Sequence, residues 1–240
     1  MTAAAVLNVL CAGAAQGLVK ALQQRFAAAT GAQVQGRFGA VGAMKEALLA
    51  GEPCDVMIVT DAMIETLAAS GALRGESCAP LGRVRTGIAV RVADPLPAID
   101  TPDELRSALL AADRIYFPDP ERATAGIHFA AVLRQLGIDD ELAPRFATFS
   151  NGATSMRELA QSAAQRPIGC TQVTEINGTD GVRLVGALPK AFELATAYSA
   201  AVASRASDPA LAARFVSLLA GIDSMALRRQ GGFEFGAAAH

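Results

Sequence analysis

Four short stretches place small residues where helices begin: Gly13-Ala14-Ala15-Gln16, Gly39-Ala40-Val41-Gly42, Thr124-Ala125-Gly126 and Asn151-Gly152-Ala153. The first backbone N–H groups of a helix lack partners within it, and the dipole there is positive. Such a start can hold an anion. The glycines at 39 and 42 do not form a phosphate-binding P-loop, since no Gly-Lys-Ser/Thr follows them. Other reactive side chains are sparse. His128 is the only internal histidine, and a lone histidine is more often structural than catalytic. Glu175 has the chemistry of a base, but a carboxylate at a helix start is the blander reading. Asp61 reads as a helix cap. Cys11, Cys54, Cys78 and Cys170 are far apart with no Cys-x-x-Cys pair, so free thiols are expected and a zinc site is not. No Ser–His–Asp set, Cys–His set or metal-ligand cluster is visible, so no catalytic residue, metal or cofactor is assigned.

The elements that position these stretches follow from hydrophobic periodicity. Val6–Leu10, Gln33–Phe38 and Asp55–Val59 read as strands, each followed by a helical pattern. Thr60 and Asp61 read as the cap of the third helix. Strand–helix alternation of this kind predicts a parallel α/β sheet, whose ligand site lies beyond the carboxyl ends of the strands. The pattern breaks near residue 80, at the punctuated Ala79-Pro80-Leu81-Gly82. A new series starts at Thr86–Val92 and continues through strands at 114–117, 146–149, 167–173 and 182–184. Between them lie helices predicted at 126–136 and 155–164. Thr101-Pro102-Asp103-Glu104 opens another helix, with Pro in its first turn and acids at the positive end of the dipole. A strand at 195–202 and two helices close the chain. The expected organisation is two α/β lobes: residues 1–84 with 197–240, and residues 85–196.

Composition narrows the function classes. Hydrophobic residues make up 52% and charged residues 18%, a globular and not a disordered balance. A formal net charge of -2 argues against a broad nucleic-acid surface. No apolar run approaches the roughly 20 residues that span a bilayer, so membrane insertion is not expected. Met1-Thr2-Ala3-Ala4-Ala5 lacks the basic and apolar regions of a secretory signal, so the expectation is either a cytoplasmic protein or one whose signal has been removed. His240, at the chain's end, is given no role.

Several strings together resemble the molybdate-type substrate-binding proteins of ABC transporters. They are Leu7-Asn8-Val9-Leu10 through Gly17, Phe38-Gly39-Ala40-Val41-Gly42, and Gly51-Glu52-Pro53-Cys54-Asp55-Val56 with Asp61 following. Farther along come Tyr116-Phe117-Pro118-Asp119-Pro120 with Thr124-Ala125-Gly126, Pro167-Ile168-Gly169-Cys170-Thr171-Gln172, and Pro209 to Phe215. The resemblance implies a type II periplasmic-binding-protein fold, with an anion held between two lobes by backbone amides and hydroxyls. It also implies a permease partner and a periplasmic location. Carried over by position, the ligand contacts come from Ala14, Ala15, Gln16, Ala40, Val41, Gly42, Thr124, Ala125, Gly126, Asn151, Gly152, Ala153 and Gln172. The chain departs from the molybdate pattern in three places. Ala14 stands for a hydroxyl residue, Ala40 and Val41 lie where the family has a serine-rich loop, and Gln172 replaces a tyrosine. Small apolar residues and an amide suit a larger organic anion. Arg85-Thr86-Gly87 is similar to the aconitate-isomerase-like group of the same fold, which implies that Arg85 pairs with a ligand carboxylate, with Thr86 beside it. The readings are therefore a solute-binding protein for a small anion, an isomerase of a polycarboxylate, or a cytoplasmic anion sensor.

Overall fold

The computed structural model describes residues 5–235; Met1–Ala4, where a signal was sought, and Gly236–His240 lie outside the described residues. The chain begins with β1 (Val6–Ala12), α1 (Gln16–Thr30), β2 (Gln33–Gly39), α2 (Val41–Leu49), β3 (Val56–Thr60) and α3 (Asp61–Ala69). It continues through β4 (Ala79–Arg91), α4 (Pro102–Ala111), β5 (Arg114–Pro118), α5 (Thr124–Gln135), α6 (Asp139–Leu142), β6 (Phe146–Phe149), α7 (Gly152–Ala160), β7 (Pro167–Gln172), α8 (Val173–Asn177) and β8 (Val182–Ala187). It ends with β9 (Ala195–Val202), α9 (Pro209–Ala220) and α10 (Met225–Gly231). Two compact units result. One holds residues up to Arg83 and from Thr196 onward; the other is Val84–Ala195. Both units are mixed α/β, as the strand–helix alternation predicts.

In the first unit the sheet order is β2-β1-β3-β9. β1 runs parallel to β2 and β3, and β9 enters antiparallel to β3. The alternation of strand and helix therefore predicts the parallel strands correctly and misses the antiparallel one. Val9, Val56, Met57 and Ile58 are buried on the sheet, and Leu18, Leu22 and Phe26 on α1. Phe26 meets Phe215 of α9 edge-to-face at 4.8 Å, so the returning tail closes this core. Arg228 of α10 is also buried, and it donates to the carbonyls of Leu81, Ala220 and Gly221. Two of those carbonyls lie at the C-terminal end of α9, where a cation offsets the dipole.

In the second unit the order is β4-β7-β5-β6, with β8 also pairing with β4. β5 is parallel to β6 and β7, whereas β4 is antiparallel to β7 and β8. The core gathers Ile88, Leu105, Leu109, Ile115, Phe117, Phe129, Val132 and Leu133. The predicted opening of α4 is present as a capping box: Thr101 Oγ1 accepts from Glu104 N–H, and the Glu104 carboxylate accepts from Thr101 N–H. The expected break at residues 79–82 is instead the start of β4. Gly82, at φ 128°, lets the strand turn there, and a Cβ would press on the Glu234 carbonyl at 2.9 Å. All four cysteines are free thiols; Cys11, Cys54 and Cys170 are buried and Cys78 is exposed. Burial pushes the Cys54 thiol up to about 12. Among the described residues no single helix is long and apolar enough to cross a membrane.

Asp55 fastens the tail to the opening strands. Its carboxylate is 2% exposed. It accepts from the Asn8 N–H at 2.7 Å, Asn8 Nδ2 at 3.3 Å, the Ser207 N–H at 2.7 Å and Ser207 Oγ at 2.8 Å. Asp55→Ala strands these donors in a dry site and is expected to lower stability in urea unfolding by roughly 2–4 kcal/mol, the scale of a few lost charge-assisted bonds. Asp55→Asn, which keeps one acceptor oxygen, should lose less.

Candidate functional site

In the first unit, β1 and β2 end level with each other, with Ala12 opposite Gly39. The chain leaves β1 through a 3-10 turn at Gly13–Ala15, whose Gly13 carbonyl accepts from the N–H of Gln16. The amides of Ala14 and Ala15 have no partner within that turn. Both alanines are buried and Gln16 is partly exposed. Ala40 is the N-cap of α2, so Val41 and Gly42 are its first helical residues. Neither the Ala15 cap of α1 nor the Ala40 cap of α2 provides a side-chain bond, and neither first turn carries an acid. α3 starts at the same edge. Thr60 is its N-cap, but the Thr60 side chain makes no capping bond. The buried Oδ1 of Asp61 has no hydrogen-bond partner, so the expected cap is not formed.

In the second unit, Pro118 of β5 is level with Phe149 of β6, and both strands lead to helix starts. α5 begins at Thr124, behind the N-cap Ala123, and again no side chain caps it. The approach is shaped by Asp119, whose carboxylate accepts from the amides of Glu121 and Arg122. Ala125 and Gly126 are buried in the first turn. A Cβ on Gly126 would overlap the carbonyl oxygens of Pro118 and Asp119, so this loop can only pack against glycine. The contrast with other helices is informative. Among the described α-helices, α4, α7 and α9 carry side-chain caps from Thr101, Asn151 and Asp208; α1, α2, α3, α5, α6, α8 and α10 do not. Of these, α1, α2, α3, α5 and α8 start where a strand with a parallel neighbour ends.

α7 is built differently from the sequence expectation. It starts at Gly152, three residues before the predicted 155. Asn151 caps it by accepting from the Thr154 N–H at 2.9 Å. The carboxylate of Glu175 from α8 accepts from Thr171 Oγ1 at 2.6 Å, and the amides of Gly152, Ala153 and Gln172 beside it pull its pKa down. A Cβ on Gly152 would overlap both Thr171 Oγ1 and Glu175 Oε2. Glu175 is buried; desolvation pushes its carboxyl above the usual range, against the pull of the Thr171 hydroxyl and of the Ala153, Gln172 and Gly152 amides.

Gln172 lies at the end of β7, opposite Thr86 of β4. With its amide oriented to satisfy both ends, Nε2 donates to the carbonyls of Val84 and Arg85 at 3.2 Å each. Arg85 Nη1 lies 3.8 Å from the Glu193 carboxylate, and both side chains are slightly more than one-third exposed. His128 Nε2 meets the Phe192 carbonyl at 2.7 Å; a carbonyl only accepts, so Nε2 carries the hydrogen. That bond gives the histidine a structural task. The side chains of Thr86 and Thr174 are buried, and their hydroxyls have no hydrogen-bond partner. Thr174 was missed on sequence. Its only signal there was a hydroxyl in the turn after β7. Among the described residues no three His, Cys, Asp or Glu side chains gather to hold a metal ion.

The sequence profile of bacterial extracellular solute-binding proteins matches residues 7–234. Aconitate isomerase from Pseudomonas sp. is 25% identical over 224 residues, covering 91% of this chain and 83% of the relative. The periplasmic molybdate-binding protein of Azotobacter vinelandii superposes with a TM-score of 0.81 at 20% identity, covering 96% of this chain and 100% of that one. The sulfate-binding protein SubI from Mycobacterium tuberculosis H37Rv gives 0.74 at 17% identity, covering 98% and 88%.

The raised pKa of Glu175 has a sign. Between the ordinary 4.5 and the higher folded value, the folded state holds a proton that the unfolded state has released. This contribution to stability is complete below 4.5 and is lost as the pH rises through the folded value. Glu175→Gln removes it. Thermal unfolding measured across pH should show a flatter profile above pH 4.5 for the variant than for the parent.

Proposed function

Because the chain belongs to the family of bacterial extracellular solute-binding proteins, we propose that it captures a small organic carboxylate for delivery to a transporter permease. The observation that carries this reading is the absence of side-chain caps on α1, α2 and α5. Each leaves backbone donors at a strand's carboxyl edge, and a bound anion supplies the missing acceptor. The residues proposed to meet it are Ala14, Ala15 and Gln16, then Ala40, Val41 and Gly42, and in the second unit Thr124, Ala125 and Gly126 with Arg85 and Thr86. Asn151, Gly152, Ala153 and Gln172 act behind them. Their polar groups are tied up within the second unit and hold its edge in shape.

The preference for a carboxylate over a tetrahedral dianion rests on donor chemistry. A buried dianion needs nearly every oxygen paired, and unpaired buried charge is costly. Ala14, Ala40 and Val41 offer no hydroxyls, and Glu175 adds a carboxylate at the start of α7. Arg85 offers a planar fork matched to a carboxylate, and its half-exposed pairing with Glu193 is easily shared or exchanged. The likeness to aconitate isomerase favours a second reading, in which the bound acid is isomerised. A proton-transfer base beside the substrate would then be required. Incubation with trans-aconitate, followed by NMR, separates the two: the spectrum should stay unchanged if the protein only binds.

Titration calorimetry tests the main reading. Citrate or trans-aconitate should bind more tightly than molybdate or sulfate. Arg85→Ala should weaken the carboxylate by about 1.5–3 kcal/mol, the scale of a hydrogen bond to a charged group. Sub-micromolar molybdate binding, or a carboxylate affinity untouched by Arg85→Ala, would count against it.

A further inference from the structure

Polar residues are rarely buried without partners. Of the ten buried polar or charged residues among those described, five lie together around the β7–α8 junction: Thr86, Thr171, Gln172, Thr174 and Glu175. Three of these are paired within the second unit. Thr171 donates to Glu175, Glu175 also accepts from backbone amides, and Gln172 donates to the carbonyls of Val84 and Arg85. The other two, Thr86 and Thr174, have hydroxyl oxygens with no protein partner. Thr86 pairs across the sheet with Gln172, and Thr174 follows Gln172 by two residues, so both hydroxyls belong to the same polar strip. Gly87 draws β4 close to α8 here: a Cβ on it would stand 3.1 Å from the Val173 side chain.

The fold denies Thr174 the usual exit for a helical hydroxyl. Thr30, Thr66 and Thr179 each donate to a carbonyl four residues earlier, at 2.8 Å. Thr174 sits in the first turn of α8, and the residue four places before it, Cys170, belongs to β7. Its hydroxyl therefore finds no helical carbonyl to bond. Substituting an isosteric apolar residue for an unpaired buried hydroxyl removes a penalty and not a bond.

From this we infer that Thr174, together with Thr86, is a ligand-contacting residue whose hydroxyl donates to an oxygen of the bound anion. The inference rests on the reading of the protein as an anion-binding protein, and it adds a specificity-determining side chain to that site. A threonine hydroxyl both donates and accepts, so it also discriminates in favour of ligands carrying a carboxylate or hydroxyl oxygen at this position.

The test compares Thr174→Val, Thr174→Ser and Thr86→Val with the parent chain. Melting temperature is measured without ligand, and calorimetry is run with citrate, trans-aconitate, sulfate and molybdate. Both valine variants are expected to melt at or above the parent's temperature while binding the preferred anion at least tenfold more weakly. Thr174→Ser should stay within about threefold of the parent, in keeping with a retained hydroxyl donor. A purely structural hydroxyl gives the opposite pattern: a lower melting temperature and unchanged affinity, which would overturn the inference. The two readings fail separately. If molybdate proves to be the ligand and Thr174→Val weakens it, the carboxylate reading falls and the hydroxyl assignment stands. If a carboxylate binds equally well to Thr174→Val, the assignment falls and the carboxylate reading stands. If none of the four anions binds the parent, both fall.

Discussion

A helix that begins at the carboxyl end of a strand cannot satisfy its own first amides, and the architecture of this protein turns on how each such start is completed. Three solutions occur in one chain. Thr101, Asn151 and Asp208 fold a side-chain oxygen back onto their own helices. α7 receives in addition the carboxylate of Glu175 from a neighbouring helix. α1, α2 and α5 receive no side-chain oxygen at their caps. The first two solutions stabilise the scaffold. In the proposed function the third keeps donors in reserve, with small residues such as Ala14, Ala40 and Ala125 leaving room for a partner of opposite charge.

The same economy explains why little conventional catalytic apparatus is needed. A solute-binding protein must recognise an anion without transforming it, and backbone amides do so without adding a titrating group. The titratable groups nearby are occupied. His128 donates to a carbonyl, Glu175 is held by four donors, and Arg85 is near Glu193. In the proposed reading, specificity falls to a few side chains set among backbone donors.

Local signals carried most of the fold. The alternation of short apolar strands with helical patterns predicted the parallel strands, and Thr101 to Glu104 predicted the opening of α4, which the structure completes as a capping box. The errors came from residues whose local meaning is overridden at long range. Pro80 and Gly82 look like a break, yet they start a strand because Gly82 takes a positive φ against the chain near Glu234. The antiparallel entry of β9 depends on a pairing with β3 about 140 residues away, which no local pattern encodes. At the site, the helix starts were legible because small residues and Asn caps are local features. The engagement of α7 by Glu175 was not, because Gly152 and Glu175 are far apart in sequence and meet only after β7 and α8 are in place. Thr174 was invisible for the converse reason: what distinguishes it is a bond it does not make.

The packing of Gly152 against Thr171 and Glu175 gives those three positions a joint history. No side chain fits at 152 while Thr171 and Glu175 stand beside it, so an alanine there is permitted only in a background that has already shortened both. The order of changes is therefore constrained, and 171 and 175 must move first. For anyone reshaping the protein into a sensor, the acid is a removable plug. Trimming it would leave the Thr171 hydroxyl and the first amides of α7 without this acceptor.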